Sequence, residues 1–154
     1  MAVEIERKFL VKSEAYRQLA RPVFFRQGYL SRAKERVVRI RVEGEKAFLT
    51  VKGTTRGFAR TEYEDEIPLG DAEHMLAELC EKPIMEKDRY RIVHNGVEWD
   101  VDEFHGANEG LVIAEVSLND ENQDVALPDW AGREVSNEPR YFNVNLAKQP
   151  YSNW

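Results

Sequence analysis

The sequence predicts an α+β fold that is mostly β, with about eight antiparallel strands and helices packed outside them. Two observations favour this fold class. Polar and apolar residues alternate through much of the 154-residue chain, and short turn signals separate many of the alternating segments. Segments joined by short turns pair antiparallel, and eight strands suffice to close a barrel around an interior space.

Five strands are predicted in the first half of the chain. The opening segment alternates strictly, which places Glu4, Glu6 and Lys8 on one face of its strand. A hairpin turn at residues 43–45 and a looser connection at 53–57 separate later strands. The predicted strands cover residues 3–11, 24–32, 36–42, 46–52 and 59–67.

The second half adds three strands, and helices are predicted in three places. Asn95-Gly96 is the strongest short turn signal and predicts a hairpin of strands 84–94 and 97–104, followed by a strand at 111–118. Ser13 and Asp71 are suitable N-cap residues for two of the helices. The predicted helices cover residues 14–20, 71–79 and 140–147. Because no linker or repeat interrupts the chain, residues 1–154 are expected to form a single domain.

Composition excludes several classes of protein. The chain has 22 Lys and Arg against 28 Asp and Glu, a formal net charge of −6, which argues against a general binder of nucleic acid or anionic membranes. Cys80 is the single cysteine, so there is no internal disulfide framework. No apolar run is long enough to span a membrane. We therefore expect a cytoplasmic protein.

Ionic residues of both signs fill one face of most predicted strands. Two interpretations stay open: a solvated sheet face with cross-strand ion pairs, or the charged lumen of a barrel. Glu115 favours the lumen, because a lone carboxylate in an apolar strand is costly unless it meets a cation or a metal. The set comprises Glu4, Glu6, Lys8, Arg39, Arg41, Lys46, Lys52, Arg60, Glu62, Glu64, Glu66, Lys87, Arg89, Arg91, Glu98, Asp100, Asp102 and Glu115.

Such a lumen suits one kind of ligand. Several Arg and Lys side chains converging in a cavity would bind a highly charged anion, with phosphates the obvious candidate. Carboxylates beside them would repel that anion unless they hold a divalent cation, and Mg²⁺ or Mn²⁺ prefers carboxylate oxygen and bridges to phosphate. The chain has no Walker-type or G-x-G-x-x-G loop. The pattern therefore indicates a metal–polyphosphate complex.

The segment Glu4-Ile5-Glu6-Arg7-Lys8 resembles the E-x-E-x-K signature of the CYTH superfamily, the triphosphate tunnel metalloenzymes. Members include inorganic triphosphatases, thiamine triphosphatases and class IV adenylyl cyclases. Segments similar to the family's later strands follow in order. They are 27–30, 39–41, 50–53, 60–64, 87–90, 99–104, 110–115 and 140–143. The resemblance implies an eight-stranded antiparallel closed barrel, a tunnel that holds a triphosphate and divalent cations.

The resemblance also implies roles for individual residues. Tyr29 is expected to act with Lys8 in catalysis, because a nearby ammonium lowers the pKa of a phenol. The implied ligands of the triphosphate are Lys8, Arg39, Arg41, Lys52, Lys87 and Arg89. The implied ligands of Mg²⁺ or Mn²⁺ are Glu4, Glu6 and Glu115. Four further carboxylates either hold a second metal or position water, or else they pair with the cations of the lumen; they are Glu62, Glu64, Asp100 and Asp102. Ser117 replaces the glutamate that the family often has two residues after Glu115, which affects the number of metals.

The resulting interpretation is a metal-dependent phosphohydrolase that cleaves a linear triphosphate, inorganic tripolyphosphate in the first place. The alternatives are a class IV adenylyl cyclase acting on ATP, a thiamine triphosphatase with Trp130 as an aromatic platform, and a non-catalytic polyphosphate or nucleotide sensor. Arg133 is expected on the surface or at a tunnel mouth. The expected partner is the small-molecule substrate, without nucleic acid or membrane, and a homodimer stays open.

Overall fold

The computed structural model describes residues 2–154, so Met1 of the predicted domain lies outside it. Nine strands form one sheet within the described residues. They are β1 (Ala2–Val11), β2 (Val23–Ala33), β3 (Arg36–Glu43), β4 (Lys46–Lys52), β5 (Ala59–Ile67), β6 (Met85–His94), β7 (Val97–Phe104), β8 (Val112–Ser117) and β9 (Ala131–Glu134).

The sheet closes on itself, as predicted. Its strand order is β5-β4-β3-β2-β6-β7-β8-β1-β9, and β5 also pairs with β1, which joins β1 to β8 in a ring of eight strands. Neighbouring strands of the ring are antiparallel. β9 was not predicted and pairs with β1 beyond the point where β5 leaves it. The space enclosed by the ring is called the lumen below.

The predicted β6–β7 hairpin is confirmed, and so is its physical cause. Asn95 and Gly96 both have positive φ, 51° and 76°, the conformation that a two-residue turn with this sequence favours. Gly44 also has a positive φ of 61° in the β3–β4 turn. These turns keep consecutive strands adjacent, so the lumen is assembled mainly from sequential neighbours.

The first and last helices are shorter than predicted, the middle one begins earlier, and the caps differ. Only a 3-10 turn, Ala15–Gln18, forms after Ser13; Glu14 rather than Ser13 is its N-cap residue, and the Ser13 hydroxyl accepts a 3.4 Å hydrogen bond from the Ala15 amide. Helix α1 (Leu69–Glu78) begins after Pro68 rather than after Asp71, without a side-chain cap. The predicted terminal helix is divided by Phe142, whose extended backbone (ψ 136°) separates a 3-10 turn from α2 (Asn143–Lys148). No helix within residues 2–154 is long and apolar enough to cross a membrane.

The two α-helices occupy different positions around the ring. Helix α1 packs outside it, where Leu76 and Ala72 contact the outward side chains of β3, among them Ile40. Helix α2 instead lies across one end of the lumen. Its residue Leu146 packs in one apolar cluster with Tyr29, which lies on the inward face of β2. The lumen is therefore apolar and covered at this end.

Candidate active site

A cavity of about 400 Å³ occupies the lumen, within the range of small-molecule sites. Alternation along each strand directs one face of the ring toward the cavity. The solvated-face interpretation is wrong for the charged residues that line the cavity. It holds for four charged residues that are exposed and lie outside the lining, namely Lys46, Glu66, Arg91 and Glu98. Six cations line the cavity, namely Lys8, Arg39, Arg41, Lys52, Arg60 and Arg89. Five carboxylates line it with them, namely Glu4, Glu6, Glu62, Glu64 and Glu115.

The carboxylate of Glu115 is held by a lysine. Lys8 Nζ lies 2.6 Å from Glu115 Oε1. The two residues are direct cross-strand partners, Lys8 on β1 and Glu115 on β8. Burial opposes the charge on Glu115, but Lys8 and then Arg89 lower its pKa well below the usual value. Burial likewise opposes the charge on Lys8, whose pKa Glu115 and Glu6 raise. The pair is ionised, and the expectation that buried Glu115 meets a cation is confirmed.

Glu4 and Glu6 have different surroundings, although both point into the cavity. Lys52 Nζ lies 2.8 Å from Glu4 Oε1, and Arg60 Nε lies 3.3 Å from Glu4 Oε2. Despite burial, Lys52 and Arg60 lower the pKa of Glu4 to about 2. Glu6 forms no ion pair with any described residue. Burial, followed by the charges of Glu115 and Glu4, raises its pKa well above the usual value.

A divalent cation fits this cluster of carboxylates. Glu6 lies between two other carboxylates and lacks a protein cation, so it binds either a proton or a metal. No group of three His, Cys, Asp or Glu side chains within residues 2–154 is arranged so that it could hold a metal ion by itself. Mg²⁺ does not need one, because it is usually held by one or two carboxylates together with substrate phosphates and water. Ser117, which pairs with Glu6 across β1 and β8, lines the same part of the cavity.

Arg39 and Arg41 supply the cations of another part of the cavity wall, and both are 8% exposed. The Nε atom of Arg39 is buried without a partner, whereas Arg41 Nε lies 3.1 Å from Glu43 Oε2, a contact without hydrogen-bond geometry. Burial and the neighbouring Arg39 lower the pKa of Arg41 to about 10. Besides Glu43, Glu64 partly compensates these charges, at 3.8 Å from Arg39 and 3.5 Å from Arg41, and it accepts a hydrogen bond from Thr50. An anion in the cavity would satisfy both guanidinium groups.

Three predicted site residues do not line the cavity. Lys87 Nζ lies 2.7 Å from Asp102 Oδ2, and both residues are 1% exposed. Asp102 also accepts two hydrogen bonds from Arg89, at 2.7 and 2.9 Å. Asp100 makes a single longer contact, 3.3 Å from Arg89 Nη1. In this arrangement Asp102 pairs with cations of the barrel, and Lys87 lies behind Arg89 rather than in the cavity wall.

The charges of the Lys87–Asp102 pair follow from burial and from each other. Burial opposes the charge on Asp102, but Arg89 and Lys87 lower its pKa below the usual value. Burial lowers the pKa of Lys87 to about 8, although Asp102 opposes this shift. Burial raises the pKa of Asp100, which Arg89 only partly offsets. The pair therefore provides a fixed anchor for Arg89.

Tyr29 lines the cavity as predicted, but its pKa shifts in the opposite direction. Burial raises the pKa of the Tyr29 phenol, and the nearby Arg39 and Lys8 offset this only in part. The predicted lowering took account of the Lys8 ammonium, but the loss of solvation on burial raises the phenol pKa by more than the ammonium lowers it. The phenol is therefore neutral and can donate a hydrogen bond to a ligand.

Two contributors to the site were missed at the sequence level. Arg60 lines the cavity and holds Glu4; its place on the charged face of β5 was the available signal. Phe25 is fully buried, and its ring lies 5.4 Å from Arg41 and 4.7 Å from Arg89. Cation–π contacts of this kind hold the two guanidinium groups. The sequence offered no signal for that role, since Phe25 looks like an ordinary core residue.

The residues considered for other roles lie elsewhere. Trp130 is 4% exposed and packs edge-on against Tyr16 and Trp99 in the core outside the ring, so it does not serve as a platform at the tunnel mouth. Arg133 is exposed and pairs with Glu138 at the surface. Cys80 is a buried free thiol that packs beside α1.

Comparisons with known proteins agree with the fold and with the family resemblance. A CYTH domain model matches residues 2–151. An inorganic triphosphatase of Acetivibrio thermocellus is 54% identical over 154 residues, covering 100% of this chain and 99% of the relative. An inorganic triphosphatase of Nitrosomonas europaea is 36% identical over 148 residues, covering 94% and 96%. The crystal structure of the inorganic triphosphatase NE1496 superposes with a TM-score of 0.64 at 34% identity, covering 96% of this chain and 95% of that one.

Proposed function

Because the chain belongs to the CYTH domain family, we propose that it is a divalent-metal-dependent triphosphatase that hydrolyses inorganic tripolyphosphate to pyrophosphate and phosphate. One observation carries the proposal. The guanidinium groups of Arg39 and Arg41, whose Nε atoms lack a hydrogen-bond partner, face the same cavity as the carboxyl group of Glu6, which has no ion-pair partner among the described residues. The former need an anion and the latter needs a cation, and a metal–triphosphate complex supplies both.

In this proposal the cations of the cavity wall bind and orient the phosphate chain. Arg39 and Arg41 bind neighbouring phosphates, because residues two apart on a strand share a face with Cα atoms about 6.5–7 Å apart. Lys8, Lys52 and Arg89 bind the remaining oxygens. Lys87 acts through Asp102, which orients Arg89.

Glu4, Glu6 and Glu115 are the proposed holders of Mg²⁺ or Mn²⁺, and Glu62 and Glu64 are in place to position water or a second cation. When bound, the metal neutralises phosphate oxygens and polarises the phosphoryl group under attack. Lys8 neutralises Glu115 in the absence of substrate. With a metal bound at Glu115, the Lys8 ammonium would be available to bind a phosphate oxygen. Tyr29 donates a hydrogen bond to the substrate.

The location proposed for the enzyme is the cytoplasm. Cys80 is a free, buried thiol, which suits a reducing compartment.

A substrate panel tests the proposed function. Tripolyphosphate, ATP, thiamine triphosphate and pyrophosphate are compared at matched free Mg²⁺, with phosphate, pyrophosphate and cyclic AMP as readouts. We expect tripolyphosphate to have the highest kcat/KM, and pyrophosphate to react poorly because it leaves cations of the cavity unmatched. Cyclic AMP formed from ATP at a higher kcat/KM would establish a cyclase instead. Thiamine triphosphate as the best substrate would require an aromatic site at the cavity mouth.

The metal requirement is tested separately. Activity is measured in excess chelator and after Mg²⁺ or Mn²⁺ is restored, with free metal held constant because tripolyphosphate chelates it. We expect turnover to disappear in chelator and to return with either metal. Undiminished turnover in chelator would contradict the roles proposed for Glu4, Glu6 and Glu115.

A further inference from the structure

Gln27 is a buried polar residue that the proposed reaction leaves without a role. It lies on the inward face of β2, two residues before Tyr29, and is 0% exposed. Its Nε2 atom donates a 3.4 Å hydrogen bond to the Tyr29 hydroxyl oxygen. Its Oε1 atom is buried and has no partner among the described residues. A side chain needed merely to fill this space would have no polar atoms to leave unsatisfied.

This hydrogen bond decides which way the Tyr29 hydroxyl points. A phenol has one hydrogen to donate and accepts through its oxygen, and Gln27 supplies the donor to that oxygen. The charged groups that face the hydroxyl, Arg39, Lys8 and Arg60, are donors as well. No described residue accepts the Tyr29 hydrogen. It is therefore directed into the cavity, where phosphate oxygens would be the acceptors.

The backbone around the pair is held from outside the ring. The carbonyl of Tyr29 accepts a 2.9 Å hydrogen bond from the Glu81 amide, just after α1. Gly28, which lies between Gln27 and Tyr29 in the chain, packs tightly against the segment that follows α1. A Cβ atom at Gly28 would lie 2.7 Å from Ile84 and 2.9 Å from Cys80. The strand cannot shift outward here, so the backbone positions from which Gln27 and Tyr29 project are held by the fold.

We propose that Gln27 is a positioning residue that keeps Tyr29 a hydrogen-bond donor to an oxygen of the reacting triphosphate. The inference rests on the proposed triphosphatase activity and names a residue that acts through Tyr29 rather than on the substrate. No proton changes hands in this role. The hydrogen bond from Tyr29 strengthens as negative charge develops on the phosphate oxygen in the transition state, so its loss lowers kcat more than it raises KM.

A double-mutant cycle tests the proposal. Gln27→Met keeps the length of the side chain and removes the donor, and Tyr29→Phe removes the hydroxyl; both single variants and the double variant are assayed on tripolyphosphate at matched free Mg²⁺. We expect each single variant to lose about ten-fold or more in kcat with little change in KM. We expect the double variant to be no slower than Tyr29→Phe. A Gln27→Met variant with wild-type kcat, or one whose loss persists in full in the Tyr29→Phe background, would overturn the inference.

Two further variants guard against a trivial effect on folding. Met85→Leu replaces the cross-strand neighbour of Gln27 with a residue of similar volume and should keep kcat, since it alters packing alone. Gln27→Leu removes the donor with a different apolar side chain and should match Gln27→Met in kcat; wild-type kcat in this variant would count against the proposal. An inactive wild-type protein would overturn the proposed function together with the inference, whereas an active one with an indifferent Gln27 would overturn the inference alone.

Discussion

Replacing Asp102 with Asn removes one charge from the buried cluster that anchors Arg89. Asp102 lies 2.7 Å from Lys87 Nζ and accepts hydrogen bonds from Arg89 at 2.7 and 2.9 Å. Both Asp102 and Lys87 are 1% exposed, so water cannot compensate the charge left behind. Removing one partner of a buried ion pair costs about 3–5 kcal/mol in the free energy of unfolding.

For a chain of this length, 1 kcal/mol corresponds to about 2–4 °C in Tm, so Asp102→Asn should melt about 6–20 °C below the wild type. Asp100→Asn is the matched control, since it makes the same chemical change on the same strand. Asp100 is 27% exposed and has one contact, 3.3 Å from Arg89, so its loss should cost at most about 1 kcal/mol. The KM for tripolyphosphate should rise more in Asp102→Asn, because Arg89 loses its orientation.

Thermal unfolding in chelator, and again in saturating Mg²⁺, separates the anchoring role from a metal-ligand role. If Asp102 anchors cations, the loss in Tm persists in chelator, and Mg²⁺ raises the Tm of variant and wild type equally. A variant that melts with the wild type in chelator but no longer gains Tm from Mg²⁺ would make Asp102 a metal ligand. Equal losses for Asp102→Asn and Asp100→Asn would refute the argument from burial.

Other predictions follow from the same contacts. Arg39→Lys and Arg41→Lys keep the charge but lose the planar fork, so KM should rise at least several-fold; unchanged steady-state kinetics in both would place these residues outside the binding site. Glu4→Gln should lower kcat and, because it leaves buried Lys52 without the carboxylate 2.8 Å away, should lower Tm as well; an unstable variant with intact specific activity would make Glu4 structural. The hydrogen bond from Arg7 lowers the pKa of Glu134 in the folded state, so the contribution of Glu134 is present above the unfolded carboxyl pKa and lost as pH falls. At pH 7 the free energy of unfolding of Glu134→Gln should be lower than that of the wild type by at most about 1 kcal/mol, because the pair is partly exposed. Chemical denaturation at pH 7 and in acid should show that this difference vanishes in acid. A difference that stays constant would contradict the pairing.

Local sequence determined the strands, their faces and the kind of ligand. Strict alternation placed Glu4, Glu6 and Lys8 on one face, and Asn95-Gly96 defined the β6–β7 hairpin, because both features depend on backbone geometry over a few residues. Buried Glu115 required a cation from the outset, and Lys8 supplies it. The short strand β9 carries no comparable periodic signal and was missed.

Tertiary structure alone decided which inward-facing charges reach the cavity. Arg89 lines it while Lys87, on the same face of β6, lies behind it, since their positions depend on the register of strands distant in sequence. The pKa of Tyr29 rises because burial outweighs the neighbouring cations, a balance that spacing along one strand does not contain. Helix α2 covers one end of the lumen for a similar reason: the apolar residues it meets come together only when the ring of strands closes.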